Sequence, residues 1–237
     1  MKLTQEVARK VLTTVDAGLV SGIGTQKPGE MCVEAAVCFA YGLPHSDRPP
    51  CVGAAVRSFK IRLNDSDWAS PQSRAQGMRR LAIAQLGSDV INQREFAEIV
   101  AVNTIKKLLP VLLAAHDLHG HAKSCSEVTT LTAAHAAARA AAYAAARATA
   151  YADDDAARAA AHAAARAAAY AAAYAAHAAA RAAADAAIAA ADDAAHAAAH
   201  AAAHAADEKY LVLSADIALD ALRELSSPGC EFLYLCD

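Results

Sequence analysis

The chain has 237 residues, 22 basic against 25 acidic for a net charge of −3, and 56% apolar residues. So even a balance excludes the strongly basic surface that marks nucleic-acid binders, and the length suits one large or two modest domains. Six cysteines, and a start that mixes Lys2, Glu6, Arg9, Lys10 and Asp16 with apolar residues rather than forming a signal peptide, predict a cytoplasmic protein with reduced thiols.

Thr4 caps a first helix whose Val7, Val11, Leu12, Val15 and Leu19 recur at helical spacing. Ser21 to Gly29 reads as a loop. A second helix is expected from Glu30 to Tyr41, with Gly42 ending it, and the three prolines between Leu43 and Pro50 exclude helix there. A third helix is expected over 52–63, broken by Asn64 and Asp65. Ser70 followed by Pro71 signals the start of a fourth, which Gly87 closes. From Arg94 onward, Phe96, Ile99, Val100, Ile105, Leu108, Leu109 and Leu112 form the strongest apolar stripe of the front half, with a kink expected at Pro110. No alternating run argues for strands.

Composition changes abruptly near Gly120. From Ala133 to Ala206 almost every residue is alanine, with one larger side chain every fourth position and a spacing of three at only three places. Alanine loses no side-chain entropy in a helix, and no glycine or proline lies between Gly120 and Pro228. Steps of four turn a helix by about 400°, so the stripe cannot stay on one face of a straight helix. The tract is therefore expected to wind about a partner or to be cut into shorter helices at Asp153–Asp155 and Asp192–Asp193, where aspartate favours helix starts. An uncut rod would measure roughly 110 Å at 1.5 Å per residue. Every window of about 20 residues carries charge or histidine, so the tract is not a membrane span. Beyond it, Leu211, Ala215, Ala218, Leu222 and Leu225 make the seam of a packing helix whose mate is either the front domain or a second subunit.

The fold expected from these signals is all-α: a compact helical domain over residues 1–120, an alanine-rich region over 121–206 packed as hairpins, a bundle or a coiled coil, and a packing helix and tail over 207–237. The first 120 residues carry a net charge of +3 and the remainder −6, so the two halves attract.

Gly29-Glu-Met-Cys-Val-Glu-Ala-Ala-Val-Cys-Phe-Ala-Tyr-Gly42, with Lys60-Ile-Arg-Leu-Asn-Asp-Ser-Asp-Trp68 and Arg80 to Gly87, resembles uncharacterised small helical domains of bacterial and phage proteins. In those a Cys-containing helix precedes an Asn-Asp turn. The resemblance implies an all-helical fold and a bacterial or phage origin, and carries no activity. In composition alone the tract resembles helical antifreeze proteins. Those present regularly spaced threonines, whereas Thr149 is the only threonine inside this tract, and its Arg, Tyr, His and Asp stripe opposes ice binding.

Cys32, read as lying just inside the second helix, is the candidate catalytic thiol, with His45 or His116 as base. The opposing reading is a buried structural cysteine among apolar neighbours. Cys32, Cys38, His45 and Cys51 lack the close pairs of a structural zinc site. His196, His200 and His204, one turn apart, have the spacing of a helical metal chelate, but in this tract every fourth residue is simply the slot not filled by alanine. No cofactor is expected. The stripe of Arg139, Tyr143, Arg147, Tyr151, Arg158, Arg166, Tyr170, Tyr174 and Arg181 is the candidate interaction surface. Aspartates interleaved with it argue against nucleic acid. The expected function is non-enzymatic, with alanine-rich helices mediating self-association or the binding of another protein, away from membranes. The alternatives are a phage-type inhibitor or immunity protein and a small enzyme using Cys32.

Overall fold

The computed structural model describes residues 1–115, 117–151 and 208–237. Among them the chain is helical, with no strand beyond one isolated pairing of Gly24 with Met31. In chain order the helices are α1 (Gln5–Asp16), α2 (Val33–Ala40), α3 (Ala54–Asn64), α4 (Pro71–Ala84), α5 (Gln93–Asn103), α6 (Leu109–Ala114), α7 (His119–Ser126), α8 (Leu131–Tyr151) and α9 (Lys209–Glu224). A 3-10 segment, Pro228–Cys236, closes the chain. No helix of the described residues is long and apolar enough to cross a membrane.

Local chemistry sets several of the boundaries. Thr4 accepts from the Val7 N–H and starts α1, whose Ala8, Val11, Leu12 and Val15 are buried. Ser70 and Ser73 form a reciprocal capping box at the head of α4, with Pro71 at the position where a missing N–H costs nothing. Helix α2 begins three residues later than the apolar pattern alone predicts. Thr25 and Cys32 donate to Glu30 O and Ile23 O, and Val20 donates to Met31 O, so Glu30 and Met31 belong to a paired loop. Gly24 makes that loop possible: its φ is +66°, and a Cβ there would lie 2.1 Å from Glu30 O.

The expected kink at Pro110 is a π turn, Thr104–Leu108, placed just before it. A regular helix would drive the proline ring into the carbonyl four residues back. The wide turn instead lets Leu109 N–H bond Thr104 O. It also shifts the register, so that Leu108 and Leu112 enter one hydrophobic core while Ile105, Leu109 and Leu113 enter another.

The larger core joins α1 to α5 with α9 and the terminal segment. Helix α9 buries Leu211, Ala215, Ala218 and Leu222 against α4 and α5, so its mate is the front of its own chain. The smaller core lies between the π turn, α6, α7 and the first part of α8, where Ala134, Ala138 and Ala141 are fully buried. Helix α5 and the π turn Thr104–Leu108 thus touch both α8, within the alanine-rich region, and α9, which follows it in the chain.

Candidate functional site

Cys32 is the N-cap of α2, not a residue inside it. Its Sγ accepts from the Ala35 N–H at 3.4 Å, and Asn64 Oδ1, from the end of α3, accepts from the Val33 N–H at 3.3 Å. The thiol therefore serves as a capping acceptor. Burial pushes it up from its ordinary value, Glu34 adds to that, and the Ala35 N–H and Lys60 pull the other way. A catalytic thiol needs the opposite shift. His45 directs Nε2 at Gly24 O, 3.1 Å away, and no hydrogen bond or ion pair joins it to Cys32; His116 lies outside the described residues. All six cysteines are free thiols, and burial raises every one, Cys38 and Cys125 to about 11. Cys32, Cys38, His45 and Cys51 do not converge: among the described residues no three His, Cys, Asp or Glu side chains are grouped to hold a metal ion.

Behind Cys32 stands a feature the sequence reading does not single out. Glu34, in the first turn of α2, and Lys60, on the core face of α3, are each 0% exposed, with Lys60 Nζ 3.4 Å from Glu34 Oε1. Neither carboxylate oxygen nor the amine makes a well-formed hydrogen bond. Desolvation drives Glu34 up and Lys60 down, and each one's charge partly restores the other. The available sequence signal was Lys60 sharing the spacing of Val56, Phe59 and Leu63, a lysine on an apolar face.

Asn64 and Arg74 tie this corner together. Asn64, wholly buried, donates to Val20 O at 2.8 Å and to Asp65 Oδ1 at 2.9 Å. Arg74 of α4 donates to Asn64 O, Leu19 O and Ser66 O. A cavity of about 70 Å³ opens beside α2, lined by Gly22, Cys32, Glu34, Asp47, Asn64 and Asp65, with Ile23, Val33 and Ile61 as its apolar wall. A larger groove of about 450 Å³ runs between Leu3, Tyr41, Cys51, Val90 and Pro228. The Tyr41 hydroxyl lies beside the Cys51 thiol there, and burial raises both groups.

Of the candidate interaction stripe, Arg139 and Tyr143 are described, and both are exposed on α8, Tyr143 at 68%. The backbone of α8 continues through Arg147 and Tyr151. Arg158, Arg166, Tyr170, Tyr174 and Arg181 lie outside the described residues, as do His196, His200 and His204 and both aspartate clusters. No protein-family model, no curated protein and no solved structure matches the chain.

Proposed function

We propose that the protein acts by binding, and that the outward stripe of its alanine-rich region joins two copies of the chain. One observation carries this reading: α8 buries Ala134, Ala138 and Ala141 in its own chain's core while Arg139 and Tyr143, one turn apart, face solvent. Part of the alanine face is thus used inside the molecule, and beside the exposed Ala136 and Ala140 α8 offers outward a large aromatic side chain and a guanidinium. Two α8 helices crossing antiparallel about a two-fold axis near position 141 would bring Arg139 of each copy over Tyr143 of the other, a cation–π pair made twice. Tyrosine and arginine are also the side chains that most often anchor interfaces.

The buried, raised thiols support binding over catalysis, since no described cysteine has the environment of a nucleophile. A double-mutant cycle on the dimerisation constant tests the pairing, with Arg139→Ser, Tyr143→Ser and the double variant measured by sedimentation. Each single change is expected to weaken dimerisation by about 1–2 kcal/mol, with the double little worse than the worst single. Strictly additive losses, or none, would remove this pair from the interface.

A further inference from the structure

We draw no further inference here: the strongest candidate, the surface groove of about 450 Å³ between Leu3, Tyr41, Cys51, Val90 and Pro228, carries nothing because nothing in the structure shows what covers it.

Discussion

At the scale of residues, the wholly buried Glu34–Lys60 pair is a costly arrangement. Two charges at 0% exposure, 3.4 Å apart and without well-formed hydrogen bonds, recover only part of their lost hydration. Removing one partner is worse, because it leaves the other stranded. Lys60→Met is expected to cost about 3–5 kcal/mol in urea unfolding, and adding Glu34→Met should restore much of that loss. A double variant less stable than the single would show that the pair itself stabilises the fold. The thiols give a pH signature. An unperturbed thiol deprotonates near 9.0, whereas Cys125 holds its proton to about 11. The folded state therefore binds an extra proton between those values, and its contribution is complete below pH 9 and lost as pH rises towards 11. Two pH units correspond to on the order of 3 kcal/mol. Comparing the unaltered chain with Cys125→Ala at pH 8 and pH 10.5 isolates this term from Lys60, whose lowered pKa acts in the opposite direction. The unaltered chain should lose more stability over that interval; equal losses would contradict the assignment.

At the scale of elements, Gly229 shows how tightly the terminal segment seats on α4. A Cβ there would lie 2.1 Å from Ile83 O and 2.9 Å from Ala84 O, backbone atoms that cannot rotate away. Ser227 Oγ donates to Ala84 O beside it, and Arg79 donates to Cys236 O further along. Gly229→Ala is expected to cost about 3 kcal/mol or to release the 228–236 segment, read as faster amide exchange there. Wild-type exchange and stability would refute the close seating. The same scale shows what the sequence could reveal. Starts governed by the chain's own next few residues, Thr4 for α1 and Ser70–Pro71 for α4, were legible. The start of α2 was not, because Thr25 and Val20 of the preceding loop pair with Glu30 and Met31. Pro110 announced a disturbance, but nothing local specifies a π turn over a kink, since the register is chosen by two cores competing for Ile105 to Leu113. Around Cys32 the thiol was visible and its role was not: capping depends on Ala35, while the Glu34–Lys60 contact links two helices and defies the rule that charges lie outside.

At the scale of the whole molecule, two hydrophobic cores share the α5–π turn–α6 unit, and α8 and α9, the described helices on either side of residues 152–207, both pack against α5 and the π turn. Lys107 of the π turn pairs with Asp220 of α9 at 2.8 Å on the surface between them. The body fixes α8 by its alanine face and so determines which side chains point outward, which is why Arg139 and Tyr143 become the places where a second copy would be met. Light-scattering mass of the unaltered chain between about 1 and 200 µM, the range in which weak homodimers assemble, tests this most directly. The proposed function predicts a mass rising from monomer to dimer with concentration, and a Tyr143→Ser variant whose rise is displaced to about tenfold higher concentration with unchanged helical signal. A monomeric mass for the unaltered chain throughout, or a dimer indifferent to Tyr143, would contradict it.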